Sequence, residues 1–190
     1  GRIRNASLTR RRSEISPKAG EVSGWLHATA RVGTELQVTL PFGDLVLDRA
    51  DATSDSAPVV LCSAGIGITP MLGMLAQLVA DEATRRVIVL HADRSPDQHV
   101  LADEVAGESS MLADAEVHTW YEADADAATG PGTVHQGLMD LSVVDLPTDA
   151  HVFLCGSSGF LQAVRPAFLA AGVDEERLHA ELFAPNDWLV

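Results

Sequence analysis

Cationic side chains are scarce in this 190-residue chain: 13 Lys and Arg stand against 27 Asp and Glu, a formal net charge of −14. That balance argues against a general nucleic-acid binder, which must neutralise phosphates with Lys and Arg. Cysteine is scarcer still. Cys62 and Cys155 each end an apolar run, and they form neither a CxxC nor a spaced metal pattern, so a reducing, cytoplasmic compartment is expected. No apolar stretch reaches the roughly 18 residues of a membrane span, and no signal peptide is visible, so no membrane partner is expected. The seven histidines show no HExxH or similar ligand spacing, which argues against a metal site. A GxSxG elbow and an obvious Ser-His-Asp arrangement are also missing, which speaks against a hydrolase. The chain opens on Gly1 and not on Met, as a fragment or a processed chain would.

The few cations are unevenly placed. Arg2, Arg4, Arg10, Arg11, Arg12 and Lys18 face only Glu14 within the first 20 residues, a local balance of +5 that leaves −19 on the rest. Either this basic N-terminus meets an anion or it is a solvated tail, and composition alone favours the tail.

From about residue 57 the chain alternates short β-like runs with helical patterns. The runs 57–64, 85–92, 115–123, 150–156 and 176–184 read as five strands, the first two continuous and apolar as in strands buried on both faces. Helical patterns fall at 69–81, 97–108, 136–144 and 158–172, the last requiring a kink or late start at Pro166. This alternation implies βαβ crossovers and hence a Rossmann-like parallel five-stranded sheet with flanking helices. The first 50 residues differ, with a short helical segment at 22–32 and β-like runs around "PFG" (41–43). The expected division is therefore a partial antiparallel β-barrel over 1–50, a polar linker at 51–57, and a nucleotide-binding domain over 58–190.

Three unusual segments fall at the carboxyl ends of the expected strands, where such sheets bind dinucleotides. In "AGIGITP" (64–70), Gly65 and Gly67 would admit a pyrophosphate to backbone N–H groups ahead of a helix that starts at Thr69-Pro70. A simple tight turn explains the same residues, since Pro70 occupies the place of the third glycine of GxGxxG. "CGSSGF" (155–160) repeats the design, though Cys155 read alone is a small packed hydrophobe. "HADRS" (91–95) ends the second strand. In "GEVSGWLH" (20–27), Ser23 reads as a helix N-cap with Trp25 and Leu26 as apolar anchors, which needs no ligand.

Read in order, "RNASLT", "GEVSGWL", "PFGDLVLD", "AGIGITPML", "LHADRS", "CGSSGF" and "ELFAP" resemble the ferredoxin–NADP reductase superfamily, from about Arg4 to Pro185. Within it they are most similar to the FAD/NAD-binding reductase module of bacterial flavohemoglobins. The resemblance implies FAD and NADH as cofactors, with NADPH as the alternative, and haem only in a globin domain or partner absent from this chain. It also implies site residues. Arg4 would pair with the flavin pyrophosphate and Ser7 would hydrogen-bond near the reactive ring nitrogen, while Ala6 stands where the family stacks a tyrosine. Gly20, Val22 and Ser23 would meet the flavin pyrophosphate, and Glu181 and Phe183 would close over the flavin edge. Gly65, Gly67, Ile68 and Thr69 would line the dinucleotide pyrophosphate and nicotinamide ribose. Pro70 marks this reductase-type turn. Cys155 and Gly156 would border the nicotinamide, Phe160 would pack below it, and Asp93 and Arg94 would read the adenosine ribose, with Asp93 favouring NADH. Ser157 replaces the proline usual after Cys-Gly, and the stretch between Ser7 and Gly20 is too short and polar for the strand the family has there.

The implied function is hydride transfer from NADH to FAD and onward electron transfer to a haem, the reductase part of a nitric oxide dioxygenase. Two other classes compete: a nucleotide-binding remnant without flavin or turnover, and an electron-transfer subunit whose acidic surface docks a basic partner.

Overall fold

The computed structural model describes residues 21–38, 40, 43, 45–47, 57–129 and 132–182. The expected flavin residues Arg4, Ser7, Gly20 and Phe183 lie outside them. The chain divides into two compact units, residues 1–42 and 43–190.

In the first unit, helix α1 spans Glu21–Thr29. Its C-terminal carbonyls are met by Arg31, whose guanidinium donates to the carbonyls of Ala30 at 2.8 Å and Ala28 at 3.2 Å. A turn closed by Thr34 N–H on Arg31 O follows, with Gly33 at φ +91°. The described residues among 34–47 are not in strands, so the partial barrel is not shown there.

The second unit is a six-stranded, fully parallel sheet. Its strands are β1 (Val59–Ala64), β2 (Val87–Asp93), β3 (Ala115–Tyr121), β4 (Thr133–Gln136), β5 (His151–Gly156) and β6 (Leu178–Leu182), in the order β4-β3-β2-β1-β5-β6. Among the described residues three helices accompany it: α2 (Ile68–Ala80), α3 (Ala102–Ser109) and α4 (Ser158–Ala170). The central strands are apolar along most of their length because helices cover both faces. Val59, Leu61, Val87 and Val89 pack with Met71, Leu75 and Leu78 of α2 and Val105 of α3. Their neighbours in sequence, Val60, Cys62, Ile88 and Leu90, pack with Val164 and Phe168 of α4. The period-two alternation of side chains thus feeds two cores from one continuous apolar run.

Two expectations are corrected. The sheet has six strands, not five: β4 is a four-residue edge strand, mostly exposed, whose "TVHQ" carries no apolar run to announce it. The helix expected at 136–144 is a single 3-10 turn over Leu141–Val143, capped by Asp140, which accepts the Ser142 N–H at 2.9 Å. Gly137, at φ +107°, breaks any helix there. Pro166 in turn does not delay α4, which starts at Ser158 and runs through it. The carbonyl that loses its helical donor belongs to exposed Gln162, where water can take over. Among the described residues no helix is long and apolar enough to cross a membrane.

Candidate functional site

The strand order places a switch point between β1 and β5. From β1 the chain winds outward through β2, β3 and β4, then returns to β5 on the other side. The turns leaving β1 and β5 therefore diverge and open a crevice at the carboxyl edge, the usual ligand position in such sheets. The turn after β1 is a 3-10 turn over Gly65–Gly67, leading into α2.

The two glycines have different reasons to be there. Gly65 has φ +52° and open space where a side chain would stand, so backbone conformation selects it. At Gly67 space decides: a Cβ would lie 2.6 Å from the carbonyl carbon of Cys155 and 3.0 Å from the Gly156 nitrogen. Gly67 lets the first turn press directly on the end of β5. Gly156 in turn accepts the ring of Phe160, whose Cδ1 would lie 2.6 Å from an added Cβ.

Helix α2 starts one residue earlier than expected, with Gly67 as its N-cap and Pro70 at the third helical position, where a missing N–H costs nothing. Thr69 is not the cap; its hydroxyl donates back to Ile66 O at 3.0 Å, leaving its lone pairs available. Ser157 caps α4 by accepting the Phe160 N–H at 3.3 Å, a role that proline could not fill. Neither helix carries an acidic residue in its first turn, in a chain of net charge −14. Neither helix thus sets a carboxylate of its own at its positive end, which suits an anion site.

Cys155 is fully buried, and burial with the nearby Glu181 charge pushes its thiol up to about 11. It is a protonated packing residue near neutral pH, neither nucleophile nor base. Glu181, exposed on β6, is in register with it. The fold therefore gathers Gly65, Gly67, Ile68, Thr69, Pro70, Asp93, Arg94, Cys155, Gly156 and Phe160 at strand ends or helix starts along one edge. Val22 and Ser23 lie on the first turn of α1 in the other unit, both exposed.

Sequence reasoning missed a buried polar cluster at the same edge. Ser63 Oγ lies 2.9 Å from His91 Nδ1, and His91 Nε2 faces Asp93 Oδ2 at 3.6 Å. The ring of His91 stacks on His99 at 4.1 Å, and His99 Nδ1 lies 2.7 Å from the Tyr121 hydroxyl. Tertiary structure thus assembles the Ser-His-Asp grouping that no motif announced. Ser63 is wholly enclosed, so it serves no substrate as a nucleophile. The available signal was a polar residue closing each apolar run, Ser63 in "VVLCSA" and His91 in "VIVLHAD".

Burial, helped by His91, holds the His99 imidazole down to about 4, although Asp93 opposes this. The unfolded residue takes up a proton near pH 6.5, so between pH 6.5 and 4 the unfolded chain binds more protons. Stability is then expected to fall as pH drops through that window, by ~1–2 kcal/mol after allowing for partial solvent screening. Urea midpoints measured across that range test this, and His99→Gln should flatten the slope.

The sequence matches the model of the oxidoreductase NAD-binding domain over residues 61–166, from mid-β1 into α4. The chain belongs to that family. Flavohemoproteins of Bordetella pertussis and Bacillus subtilis are 37% and 33% identical over 175 and 172 residues. They match 90% and 89% of this chain, which spans 42% of the length of each. Among solved structures, the flavohem-like FAD/NAD-binding domain of nitric oxide dioxygenase from Vibrio cholerae superposes with a TM-score of 0.76 at 34% identity. That match covers 93% of this chain and 70% of that one. Flavohemoglobin from Malassezia yamatoensis, with bound FAD and heme, gives 0.71 at 28% identity, over 88% of this chain and 42% of that one. The resemblance to a flavohemoglobin reductase module, expected from seven ordered motifs, is borne out, and the sheet has a ferredoxin reductase-like fold.

Proposed function

We propose that this chain is the reductase module of a flavohemoglobin-type protein, passing hydride from NADH to FAD and electrons onward to a haem. The observation that carries this reading is the crevice at the β1/β5 switch point, with two helix N-termini free of acid and Gly67 packed on Cys155–Gly156. The dinucleotide would sit there. The turn over Gly65–Gly67 and the start of α2 would hold its pyrophosphate, Thr69 would accept from the nicotinamide ribose, and Gly156 with Phe160 would border the nicotinamide.

FAD, when bound, supplies the step between two-electron and one-electron transfer. The chain's own contribution is to position the nicotinamide and exclude water, and no side chain has to move a proton. Cys155, held as a neutral thiol, suits that role. Arg4, Ser7, Gly20, Val22 and Ser23 are the proposed flavin contacts, with Glu181 and Phe183 over the flavin edge. Residues 1–50 would belong to the flavin part, 51–57 to a linker and 58–190 to the nucleotide part. Both described cysteines are free and buried, which accords with a cytoplasmic setting. The acceptor would be a haem globin domain, and identity to flavohemoproteins across 90% of the chain supports this over a nucleotide-binding remnant.

Spectroscopy tests the proposal. The purified chain, supplied with FAD, is expected to show a flavin absorbance band that bleaches on anaerobic addition of NADH. A protein that cannot be loaded with FAD, or that binds NADH without bleaching, would overturn it.

A further inference from the structure

The cluster of Ser63, His91, Asp93, His99 and Tyr121 lies at the carboxyl ends of β1, β2 and β3, on the edge where the cofactor is proposed to sit. Polar side chains in a sheet interior cost more than apolar ones of the same volume, unless they do something that apolar groups cannot. Further down the same strands and on the same face, Leu61, Val87 and Val89 are apolar. The polar group is therefore a local feature of the ligand edge.

Its geometry leads to one residue. His91 is 1% exposed, and its Nε2 has no hydrogen-bond partner among the described residues. The Ser63 hydroxyl, 2.9 Å from Nδ1, can donate to it and leave the proton on Nε2. The opposite tautomer would aim a lone pair at the Asp93 carboxylate, 3.6 Å away, which electrostatics disfavours. The carboxylate is then met from two sides, by a hydrogen bond and by a longer electrostatic contact. Its Oδ1 accepts the Arg94 N–H at 2.8 Å, and its Oδ2 faces the His91 N–H. His99, stacked on His91 and anchored on Tyr121, keeps the imidazole from swinging away. Burial raises the Asp93 carboxyl, yet His91 and the Arg94 N–H outweigh it and keep the group below its ordinary value.

We propose that His91 is a positioning residue for cofactor choice, holding the Asp93 carboxylate at the end of β2 so that the site takes NADH and rejects the 2′-phosphate of NADPH. This inference rests on the nucleotide-site reading above, in which Asp93 reads the adenosine ribose. A fixed anion there repels a ribose 2′-phosphate and accepts from a 2′-hydroxyl. His91 touches neither cofactor nor substrate; it acts through Asp93.

Calorimetric titration of the full chain with ADP-ribose and with 2′-phospho-ADP-ribose tests the proposal through the ratio of the two dissociation constants. The unsubstituted protein is expected to prefer ADP-ribose, and Asp93→Asn to erase about tenfold of that preference. His91→Leu is expected to shift the ratio the same way by about tenfold, whereas His91→Gln, which keeps an N–H near the Nε2 position, should preserve it. A merely structural role would weaken both ligands equally and leave the ratio alone. If His91→Leu fails to fold, Ser63→Ala decides, since it frees the tautomer but keeps the ring; a severalfold shift in the ratio is expected. An unchanged ratio in His91→Leu or Ser63→Ala, beside a shift in Asp93→Asn, overturns the role of His91 but not the nucleotide site. An unchanged ratio in Asp93→Asn overturns the reading of Asp93 itself.

Discussion

Gly67→Ala is expected to cost the nucleotide site at least tenfold in NADH affinity and to destabilise the fold by about 1–3 kcal/mol, through a single methyl group. The added Cβ would lie 2.6 Å from the carbonyl carbon of Cys155 and 3.0 Å from the Gly156 nitrogen. Both are backbone atoms of a strand bonded to β1 on one side and β6 on the other, so they cannot turn aside as a flexible side chain would. Relief requires α2 to lift from the sheet or the β1–β5 ladder to part, and either change distorts the crevice between the two turns. Gly65→Ala is the control. Its site is open but has φ +52°, so the cost is backbone strain of ~1–2 kcal/mol with the crevice left at its width. Thermal melting and NADH titration of the two variants separate these effects. Melting and affinity unchanged in Gly67→Ala would mean that the close packing on β5 is not required.

Phe168→Ala is expected to cost about 3–5 kcal/mol, the range for deleting a fully buried aromatic ring. Phe168 is 0% exposed and lies in the core formed with Val60, Leu90, Leu154 and Trp120. Close neighbours on the central strands limit how far the surroundings can close into the space. Against a typical stability of roughly 5–15 kcal/mol, the loss leaves the nucleotide unit close to unfolding. The adjacent Leu169 is 38% exposed, and Leu169→Ala should change stability by less than about 1 kcal/mol. Urea unfolding of both variants gives the comparison; a Phe168→Ala cost no larger than that of Leu169→Ala would contradict the packing described.

The central strands were legible in the sequence because burial on both faces demands unbroken apolar runs, as in "PVVLC" before Ser63 and "VIVL" before His91. The glycine turn was legible as well, since glycine adopts φ +52° at Gly65 without strain and a side chain at Gly67 would meet the backbone of Cys155. Edge strand β4 was not, because four mostly exposed residues need no apolar pattern. Nor was the short turn at Leu141–Val143, where apolar periodicity suggested a helix that Gly137 and the Asp140 cap prevent.

By itself the sequence determined the fold class, the superfamily and the strand ends that form the ligand edge. All three follow from local rules: the period of burial, the conformational freedom of glycine and the order of motifs. Only the tertiary structure decided that Gly67 answers to the backbone of Cys155, that Ser157 caps α4, and that Ser63, His91 and His99 meet around Asp93. Ser63 and His91 are 28 residues apart in the chain but neighbours in the parallel register of β1 and β2. Such a contact is set by the pairing of whole strands, which no short stretch of sequence encodes.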